Sequence, residues 1–271
     1  MTENNRFKKL IRLRMSITGE SYTSAQRNVR GADTQRKATL FENLLTGPAI
    51  KLVEERLSIH DTGMMLIGGQ TGSGKTTLMS SILHHGMSSE SLRAIVIERY
   101  PELVPTPDEF PFNCVKFTPN NEISEDELIG QSLRMRPNLL FMGEMITYLP
   151  NFWLSSASGH SCFSTIHAKT EEQVINRATY MAYPEKERDQ MPDHLRSLRS
   201  IAMTTRLMIN HDGEKQLYFL NNVIPVTPEA LQAHYDNEWE EYYEASEYEL
   251  VSQRMERLGK TVLKDIEHKW W

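Results

Sequence analysis

The sequence lacks any apolar run of the roughly 18–20 residues that a membrane-crossing helix needs. Its opening stretch, residues 1–10, is polar and basic with no apolar segment behind it, which argues against a secretory leader. Cysteine is nearly missing: Cys114 and Cys162 each stand alone in an apolar run and make no zinc pattern. They are expected as buried thiols of a reducing cytosol. There is no internal repeat and no low-complexity tract, which excludes solenoids and linker-like chains. What remains is an ordinary globular composition. The 271 residues are 39% hydrophobic and 24% charged, enough for one large domain or a core with a small appendage.

The net charge of −6 hides an asymmetry. Residues 1–40 hold nine Lys/Arg against three Asp/Glu, and residues 228–271 hold eleven Asp/Glu against five Lys/Arg. The expected organisation is therefore a short basic helical arm (1–40), a core (41–227) and an acidic helical tail (228–271). The arm is either a contact for phosphates, lipid or acidic protein, or a solvated extension. Leu10, Leu13 and Ile17 lie at helical spacing within it, and Leu40 to Leu57 reads as a second helical stretch broken by Pro48.

A repeating pattern begins at Met64. Met64–Ile67, Ala94–Ile97, Cys114–Phe117, Leu139–Met142 and Cys162–Thr165 are short continuous apolar runs, separated by helical or loop stretches such as Lys75–His85. That pattern predicts an α/β fold with a mostly parallel, buried sheet and helices on both faces. Residues 203–209 and 217–226 flank His211-Asp212-Gly213-Glu214 and read as a hairpin.

The segment Gly69-Gln70-Thr71-Gly72-Ser73-Gly74-Lys75-Thr76 meets the G-x-x-x-x-G-K-T spacing in full, between a strand and a helix. The glycines let backbone N–H groups curl around an anion, and the following helix turns its positive end toward it. In such a loop the lysine (Lys75) reaches the β- and γ-phosphates of ATP and the hydroxyl (Thr76) binds Mg2+. Three carboxylates stand just beyond strand ends, where open α/β sheets keep their ligands. Glu144 follows Leu139–Met142, and either holds the magnesium shell or orients the attacking water. Glu98 and Glu102 follow Ala94–Ile97 and suit a base and a metal-shell ligand. His167 follows Cys162–Thr165; it either senses the γ-phosphate, couples the site to a neighbour, or is structural.

In this order, those elements resemble the secretion ATPase superfamily, whose members drive type IV pili, type II secretion and type IV secretion or conjugation. The loop through Thr77 is close to the family form. Ile97-Glu98-Arg99-Tyr100-Pro101-Glu102 resembles the acidic box, with Arg99 where the family usually has Asp. Leu133-Arg134-Met135-Arg136-Pro137-Asn138 leading to Met142-Gly143-Glu144-Met145 resembles the Walker B segment, with Ile146-Thr147 in place of the usual Arg-Asp. Gly159–Ala168 matches the histidine box, and Thr205-Arg206-Leu207 also fits.

The resemblance implies a RecA-like ATPase core, with Glu144 as the Walker B glutamate, Glu102 near the attacking water and His167 functional. It further implies a homo-oligomer, most simply a hexameric ring, completed in trans by Arg134 or Arg136, with Arg99 third. The partners would be components of an inner-membrane secretion or pilus machine, and the location the cytoplasmic face of that membrane. The family usually carries about a hundred residues before the core. Lys75 comes too early for that, which leads us to expect a minimal member. Two other readings stand beside the motor. One is a RecA-like nucleic-acid motor using the basic arm, and the other a nucleotide-gated scaffold, suggested by the altered boxes.

Overall fold

The computed structural model describes residues 44–45, 48–58, 61–88, 92–103, 113–182, 193–211, 214–246, 248–251, 253 and 267–270. The chain divides into two compact units, Met1–Ala38 and Thr39–Trp271. The first, with the helices expected there, lies outside the described residues.

The second unit is built on an eight-stranded sheet. Its strands are β1 (Gly63–Gly69), β2 (Ala94–Ile97), β3 (Cys114–Phe117), β4 (Leu139–Met142), β5 (Ser161–His167), β6 (Leu198–His211), β7 (Glu214–Pro225) and β8 (Glu267–Trp270). The order across the sheet is β3-β2-β4-β5-β1-β6-β7, with β8 also on β6. The first six strands run parallel, while β7 and β8 run antiparallel to β6. This is the mostly parallel α/β sheet that the apolar runs predict.

Among the described residues the α-helices are α1 (Pro48–Arg56), α2 (Lys75–Met87), α3 (Glu125–Ser132), α4 (Pro150–Ala157), α5 (Glu171–Ala182), α6 (Pro228–Tyr235) and α7 (Trp239–Glu244). Side chains alternate across each strand, so the sheet feeds two cores. Met65, Ile67, Val96, Leu139 and Phe141 face α1 and α2. Met64, Leu66, Ile97, Leu140 and Met142 face α3, α4, α5 and the tail helices. Phe141 and Phe163 stack on neighbouring strands with centroids 4.6 Å apart. β1, hydrogen-bonded on both sides and covered on both faces, is buried at all seven positions, which is why it reads as an unbroken apolar run.

Three departures from the sequence reading have physical causes. Pro48 begins α1 rather than breaking a longer helix; its missing N–H costs nothing in the first turn. Leu44 and Leu45 before it are turn and coil. The acidic tail shares the core, because Trp239 and Tyr243, one helical turn apart, are buried while Glu238, Glu240, Glu241 and Glu244 stay exposed. Its helicity also ends before Glu267–Trp270, which is a strand. β6 runs past the end of β1, which it pairs only as far as Thr204, and β8 takes the open edge at Leu207–Asn210.

Candidate functional site

The parallel strands deliver their C-terminal ends to one edge. There Gly69 is in register with His167 of β5 on one side and with Thr204 of β6 on the other. The phosphate-type loop Gln70–Gly74 rises between them and enters α2. Gly74 has φ 105°, a conformation that L side chains avoid. A Cβ on Gly69 would lie 2.3 Å from Ser73 Oγ and 2.5 Å from Thr204 Oγ1. Ser73 is buried and shares a 2.6 Å hydrogen bond with Thr204 Oγ1, which also donates to Gly68 O at 3.3 Å. The loop is thus tied down to β6 by two hydroxyls.

Lys75 is only 8% exposed. Its Nζ donates to Gly69 O (2.9 Å) and Gln70 O (3.1 Å) and stands 3.4 Å from His167 Nδ1. Burial lowers the pKa of its ammonium group, while Glu144 and Glu102 act in the opposite sense. His167, the last residue of β5, sets Nε2 2.8 Å from Glu144 Oε1. A tautomer with its proton on Nε2 satisfies both contacts: Nδ1 accepts from Lys75 and Nε2–H donates to Glu144. Lys75, His167 and Glu144 therefore form one chain of polar contacts along the loop.

The two acids after β2 have different work. Ile97 pairs with Met142, which sets Glu98 beside Gly143; a Cβ on Gly143 would come 3.1 Å from Glu98 Cγ. Glu98 is 4% exposed. Its Oε1 accepts the backbone N–H groups of Glu102 (3.1 Å) and Leu103 (3.0 Å), and its Oε2 faces Lys116 Nζ at 3.4 Å. Lys116 Nζ also donates to the Leu103 carbonyl. Glu98 is consumed in folding its own segment back. That fold presents Glu102, whose Oε2 accepts from the Thr76 hydroxyl at 3.4 Å. Thr77 is exposed in the first turn of α2.

The arginine candidates are not gathered here. Arg134 and Arg136 sit on the turn before β4, at the N-terminal edge of the sheet, exposed and without an ion pair among the described residues. A four-residue strand, about 13 Å long, separates that edge from Glu144. Arg99 lies on the correct edge but is paired with Glu125 at 3.0 Å. The arginine that does reach the loop is Arg206. Its Nη1 is 3.2 Å from where a Cβ on Gly72 would be. It lies on β6 two residues beyond Thr204, hence on the same face. The signal for it was Thr205-Arg206-Leu207, a fragment whose position only the β1–β6 register supplies.

Among the described residues no three His, Cys, Asp or Glu side chains form a metal cluster. Magnesium keeps water and phosphate oxygens and takes one or two protein ligands. Thr76, with Glu102 against its hydroxyl, could supply them, and Glu144 acts together with Glu102 on the neighbouring Lys75.

The chain is 33% identical to the type IV secretion system protein PtlH of Bordetella pertussis over 132 residues, 46% of this chain and 38% of that one. It is 29% identical to the type IV secretion system protein VirB11 of Brucella abortus over 173 residues, 58% of this chain and 46% of that one. It thus spans less than half the length of these relatives. Its fold is that of the pilus retraction motor PilT, solved with bound ADP, with a TM-score of 0.67 at 23% identity over 83% of this chain and 64% of that one. The ATPase DotB of Legionella pneumophila superposes with a TM-score of 0.58 at 18% identity, covering 72% of this chain and 54% of its own. The family model described as type II/IV secretion system protein matches residues 5–217, which takes in the phosphate loop, both acidic strand ends and His167. The chain belongs to the type II/IV secretion system protein family.

Proposed function

We propose that the chain is an ATP-hydrolysing motor ATPase (ATP and water to ADP and phosphate) that powers a pilus, secretion or conjugative transfer machine. The observation that carries this reading is the meeting of Lys75, Thr76, Glu102, Glu144 and His167 around one glycine loop. Backbone N–H groups of the loop and the first turn of α2 receive the phosphates, and Lys75 exchanges its contacts with Gly69 O and Gln70 O for phosphate oxygens. Thr76, with Glu102 and Glu144, would hold Mg2+, which would supply neutralising charge on the phosphates. Glu144, held by His167, orients the attacking water.

This chain matches less than half the length of each of these relatives. We assign it to a homo-oligomeric ring, most simply a hexamer, at the cytoplasmic face of the inner membrane. No described helix is long and apolar enough to cross a membrane. Arg134 and Arg136, which lie at the sheet edge opposite their own loop and carry no local ion pair among the described residues, are the candidates to complete a neighbour's site.

The test is Mg2+-dependent ATP hydrolysis by the purified chain and by Lys75→Ala. The wild type should turn over ATP; the variant should lose turnover and bind nucleotide more weakly, having lost the cation on the β- and γ-phosphates. Wild-type turnover in the variant would remove the assignment.

A further inference from the structure

The loop has two unlike flanks. Toward β5, β4 and β2 stand His167, Glu144 and Glu102. Toward β6 and β7 stand Thr204, Arg206 and Phe219. Arg206 and Phe219 are directly opposite each other on the hairpin, so they share a face with Thr204. Phe219 Cδ1 is 3.7 Å from where a Cβ on Gly74 would lie, as Arg206 Nη1 is 3.2 Å from that on Gly72. Phe219 is nonetheless 49% exposed. An aromatic ring beside the phosphate loop, half in water and next to a guanidinium, contributes little as core.

We propose that Phe219 is the platform on which the base of the bound nucleotide stacks, with Arg206 covering the phosphates between base and loop. The inference rests on the nucleotide reading above and deepens it. A nucleotide on this loop must place its terminal phosphate on the carboxylate flank, where water is activated. Its nucleoside end then leaves toward β6 and β7, and among the described residues Phe219 is the exposed ring on that path. Tyr100, 77% exposed, lies in the Glu98–Glu102 segment on the carboxylate flank, the wrong side for a base. Stacking uses the flat face that every base has, so Phe219 selects a nucleotide over bare phosphate without choosing adenine over guanine.

The experiment uses the full chain with magnesium and three probes: ATP, GTP and inorganic tripolyphosphate. Phe219→Ala should weaken ATP and GTP binding about tenfold, within the range measured for base–aromatic stacking, and leave tripolyphosphate affinity unchanged. Phe219→Trp should report ATP by a fluorescence change that tripolyphosphate does not produce, and Tyr100→Ala should leave the ATP-to-tripolyphosphate ratio unaltered. Equal loss for all three probes in Phe219→Ala, or no loss for any, overturns the platform. A tryptophan signal that follows protein concentration rather than ATP overturns it too, assigning the ring to a subunit contact. A wild type that binds neither ATP nor tripolyphosphate overturns the nucleotide reading itself.

Discussion

Glu171 opens α5 four residues after His167, yet takes no part in the site. It is 2% exposed, and its Oε1 accepts the backbone N–H of Val251 from the acidic tail at 2.8 Å. Burial pushes its carboxyl up from 4.5 to about 7, against the two backbone N–H groups that favour the ion. The phenol of Tyr243, itself raised by burial, is a further neighbour. The folded protein therefore keeps a proton at Glu171 between those two values, where the unfolded chain has released it. The stability this group supports is full below about pH 4.5. It falls as pH rises, by about 1.4 kcal/mol per unit, until it levels above about pH 7. Between about pH 5 and about pH 8 the loss is roughly 2–3 kcal/mol. Glu171→Gln keeps an acceptor for Val251 and cannot ionise. The variant should thus gain on the wild type by roughly that amount over the interval, offset at both ends by about 1 kcal/mol for an altered hydrogen bond. Urea unfolding of both proteins at the two pH values, followed by far-UV circular dichroism, measures it. A stability difference between them that is the same at both pH values would show that Glu171 is solvated, and that the tail does not seal it.

Glu144→Gln should bind ATP as the wild type does and hydrolyse it about 10²–10⁴-fold more slowly, since shape is kept and the carboxylate lost; a single-turnover assay showing less than about a tenfold loss would move the water-orienting role to Glu102. Glu98→Ala should lower both the melting temperature and turnover, because it strands two backbone N–H groups and Lys116, whereas Glu102→Ala should lower turnover alone; equal thermal shifts would erase the division drawn between the two acids. Mixing Lys75→Ala with Arg134→Ala or Arg136→Ala subunits should restore activity through intact sites at mixed boundaries, because an arginine in trans is worth about 10³–10⁵ in rate. A monomer by light scattering with ATP, and no rescue on mixing, would remove the ring.

The strands were legible because a strand covered on both faces has no polar side to show. The runs at 94–97, 114–117 and 139–142 are the observed β2, β3 and β4. The hairpin was legible from its turn residues. β8 was not, since a short strand that fills another strand's overhang needs no apolar alternation of its own. The tail's place in the core was half-written, in Trp239 and Tyr243 one turn apart, and hidden by the acids around them. Within the site, the contiguous loop could be read residue by residue. The roles of Glu98 and Glu102 could not, because which carboxylate turns inward depends on two backbone N–H groups and a lysine from β3. Arg134 and Arg136 are the instructive case. They precede β4, and a parallel strand carries whatever precedes it to the edge opposite the loop, so strand direction alone places them away from their own site.

The same geometry explains why Arg206 was legible only within the fragment Thr205-Arg206-Leu207, and Phe219 not at all. β1 ends in the loop, so its two neighbours in the sheet decide what the loop touches, and strand order cannot be read from consecutive residues. β5 brings His167, and through it Glu144; β6 brings Thr204 and Arg206, with Phe219 opposite on β7. The first flank is built from side chains that carry or move charge. The loop's fastening on the second, Ser73 to Thr204 to Gly68, is made of hydroxyls and a carbonyl that stay neutral at any physiological pH. Substitutions among Glu102, Glu144 and His167 therefore alter the chemistry of a loop that keeps its shape. Losing the Thr204 hydroxyl acts on the shape instead, leaving Ser73 Oγ and Gly68 O buried without that partner.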